Sequence, residues 1–318
     1  MNITVSWGTH LNKTSTSEKG QFIRWESKFR EHVESDPHAQ FAAESGRYHL
    51  YVSYACPWAH RTLIYRKLKG LEAHISVSVV HPVMPEQSWI FGDYPGASVD
   101  HLHGFNSMAE LYQHADPGYD RVVTVPVLYD KHRQRIVNNE SADIIRMLNT
   151  AFDQWGNAEI DFYPPSLSTE IDRINSFIYD HINNGVYKTG FATTQKAYEQ
   201  ALDELFSALD YLEVILGKQR YLLGDSLCEA DWRLFPTLLR FDPVYVGHFK
   251  CNLKRLIDYP NLWGYTRDLY QQPGIAETVN MDHIKTHYYA SHTSINPNRI
   301  VPKGPLLDFN SPHHRHRQ

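Results

Sequence analysis

Residues 47–70 read RYHLYVSYACPWAHRTLIYRKLKG, and their character changes in the middle. The first eight alternate large and polar residues and are rich in β-formers, which predicts a strand over 47–54. The next fifteen place apolar residues at helical spacing, which predicts a helix over 55–69. Pro57 suits the first turn of that helix and Gly70 suits its end. A strand leading through a cysteine-containing turn into a helix is the start of a strand–helix–strand unit.

The chain continues with elements that complete a small sheet. Residues 75–80 predict a second strand, reached by a right-handed crossover. Residues 84–120 have little periodicity and predict a long loop of the kind that usually serves a function. After this loop we expect three elements: a proline-containing strand over 121–130, a strand over 135–138 and a helix over 139–149. This is the order of a thioredoxin-like domain, expected over residues 46–150.

The flanking segments differ from this domain. Residues 1–45 are polar and mixed, and they are expected to form an N-terminal extension with one short helix over 22–33. Beyond residue 165 the pattern is helical, with its clearest signal in Tyr198, Leu202, Leu205, Leu209, Leu212 and Leu216. Other helices are predicted over residues 171–182, 229–239 and 261–271. The fold class is therefore predicted to be α+β, with an all-helical domain over residues 165–318. This domain ends in a C-terminal extension that is expected to be irregular from Ile284 onward.

The composition disfavours several classes of protein. Of the 318 residues, 42% are apolar and 21% are charged, as in a soluble globular chain. The net charge of −5 disfavours a nucleic-acid partner, because binding to phosphates normally requires a basic protein. No apolar run of about 18 residues is present, so no membrane partner is expected. With no secretory pattern and an odd number of cysteines, a cytoplasmic location is expected.

Cys56 is the first candidate for chemistry. Its predicted position at the start of a helix favours the thiolate, because unpaired backbone N–H groups carry partial positive charge there. Cysteines so placed have pKa values of roughly 3.5–7.5 instead of about 8.5. The motif is C-P-W-A, with Ala59 where a second cysteine would stand, so an outside thiol must resolve any mixed disulfide. The alternative is that Cys56 is a small buried core residue.

Two further motifs accompany this cysteine. Pro126 in V-P-V is expected at a bend that faces Cys56, where the backbone of Val125 can pair with an extended peptide. Glu140 and Ser141 begin a helix and can receive an ammonium and a carboxylate, which suits the γ-glutamyl end of glutathione. An ordinary edge-strand proline and plain N-capping explain the same residues without a function.

The other cysteines and histidines have structural interpretations. Cys228 and Cys251 are interpreted as structural, and either Cys228 or Ser226 can cap the helix predicted from residue 229. His60 is expected to bond or pack away from Cys56.

The histidine-rich C-terminal stretch raises the question of a metal-binding site. His313, His314 and His316 lie in a charged stretch that is expected to be solvated and not to bind metal. No phosphate-binding glycine motif is present, so neither a metal nor a nucleotide is expected.

Seven motifs in order carry a family resemblance. They are C-P-W-A-H-R, V-P-V-L, N-E-S, G-V-Y-K-x-G-F-A, R-F-D-x-V-Y, H-F-K-C-N and H-Y-Y-x-S-H-x-x-I-N-P, and the match runs from about Trp25 to Pro305. The chain resembles the glutathionyl-hydroquinone reductases, the Xi class of glutathione transferases. The resemblance implies a homodimer that uses glutathione as co-substrate.

The resemblance also implies a set of site residues. Cys56 matches the catalytic cysteine, and Tyr187 and Tyr288 match tyrosines that line the hydroquinone pocket. The residues that match glutathione contacts are Trp89, Arg121, Val125, Glu140 and Ser141. Core packing with a satisfied hydroxyl explains either tyrosine without the resemblance.

The implied activity is glutathione-dependent reduction of S-glutathionyl-hydroquinones through a mixed disulfide on Cys56, with release of glutathione disulfide. Two alternatives remain open. The first is an omega-type thioltransferase or dehydroascorbate reductase that uses Cys56. The second is a non-catalytic interaction module with the glutathione-transferase fold.

Overall fold

A computed structural model of the chain describes residues 16–85 and 88–315. They fall into two compact units. The described part of unit 1 comprises residues 25–161 and 277–292, and that of unit 2 comprises residues 16–24, 162–276 and 293–315. Within these residues, no helix combines the length and apolarity needed to span a membrane.

Unit 1 is built on a four-stranded sheet with the strand order β2-β1-β3-β4. Its elements up to residue 150 are β1 (Tyr48–Val52), α1 (Pro57–Leu68), β2 (Ser76–Val79), α2 (Met108–Ala115), β3 (Val127–Asp130), β4 (Arg135–Asn138) and α3 (Ser141–Thr150). Strand β1 pairs in parallel with β2 and antiparallel with β3, and β3 pairs antiparallel with β4. The α+β class with an N-terminal thioredoxin-like fold is thus confirmed.

Unit 2 is helical. Its helices are α4 (Ser168–Ile178), α5 (Gly185–Gly190), α6 (Gln195–Leu216), α7 (Glu229–Arg240) and α8 (Pro260–Tyr270), with π-helical turns over Tyr179–Asn183 and Phe241–Tyr245. The leucines that predicted α6 are buried along one face of it. Helix α7 begins after Cys228, whose backbone N–H donates to the Asp231 carboxylate at 2.9 Å. Cys228, and not Ser226, is therefore the N-cap.

A last helix, α9 (Met281–Ser291), belongs to unit 1. The prediction of an irregular segment from Ile284 onward is therefore wrong up to Ser291, whereas residues 292–315 form no helix or strand. The Asn280 side chain caps α9 by accepting from the His283 backbone N–H at 3.0 Å, and Asp282 lies in the first turn. This capping signal is local and was present in the sequence.

Three other predictions, all for residues before 131, differ from the structure. Residues 22–33 form no helix, because Phe29 and Glu31 pair through their backbones with the end of β4 and the residue after it, at 3.1 Å. The loop over 84–120 contains α2, whose N-cap Ser107 accepts from the Glu110 backbone N–H at 3.3 Å. The strand predicted over 121–130 enters the sheet only from residue 127.

The C-terminal segment is also not solvated as predicted. His313 and Arg315 are buried, although His314 is exposed, and His316 lies outside the described residues. The guanidinium of Arg315 donates to the carbonyl oxygens of Leu216, Gln219 and Arg220 at 3.0, 2.8 and 2.7 Å. The last carbonyls of a helix have no partners within the helix, so Arg315 satisfies the carbonyl of Leu216 at the end of α6, together with two carbonyls of the turn that follows.

Candidate active site

Cys56 is the residue from which the site is built. It is the N-cap of α1, with Pro57 as the first helical residue, so its side chain lies at the positive end of that helix. Its Sγ lies 3.5 Å from the carbonyl oxygen of Val125, and 9% of the residue is exposed. His60, one turn along α1, is directed to the hydroxyl of Thr278 at 2.8 Å. The thiol is therefore placed by a helix start and a neighbouring backbone carbonyl.

Val125 reaches Cys56 because of the bend before β3. The peptide bond between Val125 and Pro126 is cis, and both residues are buried. The preceding residue, Thr124, is held by Tyr112, whose hydroxyl donates to the Thr124 carbonyl at 2.9 Å. This arrangement keeps the Val125 backbone next to the start of α1.

Glu140 and Ser141 lie at the N-terminus of α3. Glu140 is its N-cap and accepts from the Ala142 backbone N–H at 3.2 Å and from the Ser27 hydroxyl at 3.0 Å. Ser141 is buried, and its Oγ lies 3.4 Å from a guanidinium nitrogen of Arg61. Plain N-capping by Glu140 therefore occurs, and it coexists with a positive environment at Ser141 that favours a bound carboxylate.

Trp89 and Arg121 differ in their surroundings. Trp89 is buried and stacks on the His287 ring of α9, with ring centroids 4.6 Å apart and an interplanar angle of 22°. Arg121 is exposed on the segment before β3. It does not share the contacts that join Cys56 to Val125 in this structure.

The two candidate pocket tyrosines belong to different units. Tyr288 lies on α9 in unit 1 and is 1% exposed. Tyr187 lies on α5 in unit 2 and is half-buried, with the Arg24 guanidinium 4.7 Å from its ring centroid. Tyr187 also belongs to an aromatic cluster with Phe22, Phe191, Tyr245 and Phe249.

Sequence reasoning missed four residues beside the predicted ones: Ser27, Arg61, His287 and Arg24. Arg61 and His287 stand inside the motifs C-P-W-A-H-R and H-Y-Y-x-S-H, so a local signal existed for both. Ser27 and Arg24 are far in sequence from their partners, and no local pattern marks them.

The remaining cysteines have different environments from Cys56. Burial raises the pKa of the Cys228 and Cys251 thiols well above the ordinary value. Both are fully enclosed in unit 2, and none of the three cysteines of the chain forms a disulfide in the part that the structure describes. Their protonated, enclosed thiols fit the structural role expected of them.

Comparison with known proteins gives matches along nearly the whole chain. The family model for the glutathione S-transferase N-terminal domain matches residues 55–151, and that for the C-terminal domain matches residues 195–268. The chain is 57% identical to Glutathionyl-hydroquinone reductase YqjG of Escherichia coli K12, over 94% of this chain and 93% of the relative. It is 52% identical to Glutathionyl-hydroquinone reductase PcpF of Sphingobium chlorophenolicum, over 91% of each chain.

Solved structures agree with these relatives. The glutathione-bound structure of YqjG superposes with a TM-score of 0.88, over 92% of this chain and 97% of that one. The glutathione S-transferase Xi of Phanerochaete chrysosporium superposes with a TM-score of 0.89 at 54% identity, over 92% of this chain and 95% of that one.

Proposed function

The chain belongs to the glutathione S-transferase family, in its Xi class of glutathionyl-hydroquinone reductases, and on this premise we propose that it reduces S-glutathionyl-hydroquinones to hydroquinones. The observation that carries the proposal is the position of Cys56. Its sulfur lies at the N-terminus of α1 and 3.5 Å from the Val125 carbonyl, beside the backbone that can receive an extended peptide. A cysteine there can act as a nucleophile toward a sulfur of that peptide.

The glutathionyl part of the substrate is proposed to bind along unit 1. The Val125 backbone pairs with its cysteinyl residue, and Glu140 receives the ammonium of its γ-glutamyl end. Ser141 and the N-terminus of α3 receive the γ-glutamyl carboxylate, supported by the positive charge of Arg61 at 3.4 Å from the Ser141 Oγ. Trp89 and Arg121 supply further contacts to glutathione.

The aromatic part of the substrate is proposed to contact Tyr187 and Tyr288. Direct cleavage of an aryl C–S bond is difficult, so the ring carbon that carries sulfur is first protonated and the ring takes a keto form. Hydrogen bonds from the tyrosine hydroxyls to the ring oxygens assist this tautomerisation.

Two thiol exchanges complete the reaction. The Cys56 thiolate attacks the glutathionyl sulfur, an S–S bond forms, and the electron pair of the broken C–S bond passes through the ring to the keto oxygen. That oxygen takes a proton, and the ring leaves as hydroquinone. A second glutathione thiolate then attacks the Cys56 mixed disulfide, releases glutathione disulfide and restores the Cys56 thiolate. One glutathione is thus consumed for each conjugate reduced.

The covalent step is tested with Cys56→Ser. We expect turnover on a glutathionyl-hydroquinone to fall by a factor on the order of 1,000 or more, because serine is a far weaker nucleophile toward sulfur. The matched control is Cys228→Ser, a second N-cap cysteine that is buried in unit 2 and should leave turnover within about twofold. Near-normal turnover by Cys56→Ser would refute the mixed-disulfide mechanism.

Two measurements separate the competing functions. Turnover on a small mixed disulfide or dehydroascorbate that exceeds turnover on the glutathionyl-hydroquinone would favour the omega-type activity. Intact mass after exposure to glutathione disulfide should give one glutathione adduct on Cys56, and its absence would favour a non-catalytic module.

We further propose that the enzyme is a cytoplasmic homodimer. The family resemblance supports the dimer, and the odd number of unpaired cysteines fits a reducing compartment. Sedimentation equilibrium at micromolar concentration tests the dimer, and a monomer would contradict it.

A further inference from the structure

We propose that His287 is a positioning residue that fixes the Trp89 indole in the orientation in which it binds glutathione. The inference deepens the proposed function, because it rests on the assignment of Trp89 as a glutathione contact. All the residues that carry it belong to unit 1.

The two rings form a close stack. Their centroids are 4.6 Å apart with an interplanar angle of 22°, and each residue is 6% exposed. The Trp89 backbone is held separately, because its carbonyl accepts from the Met108 backbone N–H at 2.9 Å, at the start of α2. The backbone of Trp89 is therefore anchored to α2, and its ring is anchored to α9.

His287 is itself held in a defined orientation. Its Nδ1 lies 2.9 Å from the carbonyl oxygen of Pro82 and 3.3 Å from the hydroxyl of Ser291. A carbonyl can only accept, so Nδ1 carries the proton that is donated to Pro82. The Ser291 hydroxyl in turn accepts from the Met84 backbone N–H at 2.9 Å. His287 and Ser291, one helical turn apart on α9, therefore hold Pro82 and Met84 in the segment that leads to Trp89.

The same helix binds the far end of this loop, without contact to Trp89. His283 Nε2 lies 2.7 Å from the Pro95 carbonyl oxygen, and the Tyr94 hydroxyl donates to Asp282 at 2.7 Å. His283 thus resembles His287 in burial and in its bond to a loop carbonyl, and it differs in having no stack on Trp89. It is the matched control for a merely structural contribution of α9.

The stack on His287 should strengthen the binding of glutathione to the Trp89 indole. A large side chain that is already held in its bound rotamer loses less conformational freedom when the ligand arrives. The stack on His287 supplies this pre-organisation, and the next residue on α9 is Tyr288, assigned to the hydroquinone ring. We infer that α9 aligns the glutathione contact with a residue of the ring pocket.

The test measures glutathione affinity of the full-length chain by calorimetry for His287→Ala, His283→Ala and Trp89→Ala, and for His287→Ala with Trp89→Ala. His287→Ala is expected to weaken affinity about tenfold through lost pre-organisation. In steady state, KM for glutathione should rise by a similar factor while kcat changes less than about twofold. The reason is that the substitution weakens the binding of glutathione equally in the ground state and in the transition state. His283→Ala should lower thermal stability comparably and change affinity less than about twofold.

The double variant identifies the route of the effect. With Trp89 already removed, loss of His287 should change affinity by less than about twofold, since the two residues act as one unit. His287→Phe, which keeps an aromatic ring against Trp89, should restore affinity to within about threefold of the unsubstituted chain.

Three results would overturn the inference. They are fully additive losses in the double variant, an equal loss of affinity in His283→Ala, and unchanged affinity in Trp89→Ala. The last result would also remove the glutathione contact assigned to Trp89, whereas the role of Cys56 is tested separately by Cys56→Ser.

Discussion

The two tyrosines assigned to the hydroquinone ring have contrasting surroundings. Tyr288 is enclosed on α9, and the rings of His287 and His292 lie 5.3 and 5.5 Å from its own. Tyr187 is half-buried, and the Arg24 guanidinium that covers its ring also donates to the Asn184 side chain at 2.7 Å. A cation over an aromatic face stabilises the position of both groups. In each case the ring is fixed by packing, so substitution by phenylalanine removes the hydroxyl and keeps the packing.

Because such substitutions remove only the hydroxyls, they allow a selective test of the ring pocket. Tyr187→Phe combined with Tyr288→Phe should lower kcat/KM on a glutathionyl-hydroquinone by roughly 100-fold or more, because proton transfer to the ring loses its hydroxyl partners. Reduction of a small mixed disulfide should change by less than about threefold, since it needs only Cys56 and the glutathione contacts. Tyr163→Phe, which removes an exposed hydroxyl bonded to Asp172, is the control. Equal losses on both substrates would contradict the assigned pocket.

At the scale of elements, the pairing of β1 with β2 contains a buried histidine. His49 lies on β1, with its ring nitrogens 2.7 and 3.0 Å from the hydroxyls of Ser76 and Ser78 on β2. Burial lowers the pKa of His49 to about 3. The folded state therefore favours the neutral ring, whereas the unfolded chain binds a proton below about pH 6.5. Acid should weaken this part of the sheet.

The sign and size of this effect can be predicted. Because the folded pKa lies below the unfolded one, the stabilisation is fully present above about pH 6.5 and is lost as the pH falls toward 3. Between pH 7 and pH 5 the loss is about 2 kcal/mol. His49→Gln, which cannot titrate, should reduce the difference in free energy of unfolding between those pH values by that amount, measured by urea denaturation. His38→Gln at an exposed position is the control, and an unchanged pH dependence in His49→Gln would refute the prediction.

Elements with strong local patterns could be predicted from the sequence, and elements fixed by distant contacts could not. The period of leucines predicted α6, and the strand–cysteine–helix pattern predicted β1 and α1. Residues 22–33 have an ambiguous local pattern, and pairing with the end of β4 decides their extended form. The capping residues of α2 and α9 are present in the sequence, but the aromatic and histidine residues that follow them give no clear helical periodicity.

The residues of the candidate site also fall into those marked by a local pattern and those positioned by distant contacts. Cys56, Glu140 and Ser141 were predicted because a turn and two helix starts mark them locally. Arg61 reaches Ser141 across 80 residues, and His287 reaches Pro82 across 205. The motifs mark Arg61 and His287 themselves, but which residues they contact depends on the folded chain, and the local pattern carries no information about those contacts.

At the scale of the whole molecule, the chain passes between its two units several times. The family models match as far as residue 268, yet two later segments contribute to different units. Residues 277–292 supply α9 to unit 1, and residues 293–315 return to unit 2, where Arg315 binds the last carbonyl of α6 and two carbonyls of the turn after it. Glutathione affinity and the stability of unit 2 should therefore depend on different parts of the C-terminal segment.

Two truncations test this division. Ending the chain after His292 removes Arg315 and the buried Phe309, and it should destabilise unit 2 by at least roughly 2–3 kcal/mol, because charge-assisted hydrogen bonds and aromatic packing are lost together. Glutathione affinity should stay within about twofold, since α9 is retained. Ending it after Ala276 also removes α9, and glutathione affinity should fall by more than about tenfold as the support of Trp89 is lost. Arg315→Ala in the full chain should lose part of the stability that the first truncation loses, measured by thermal unfolding, because that truncation also removes the ring contacts of Phe309 with two aromatic side chains of α8. Equal glutathione affinity in the two truncated chains would show that α9 does not serve the glutathione site.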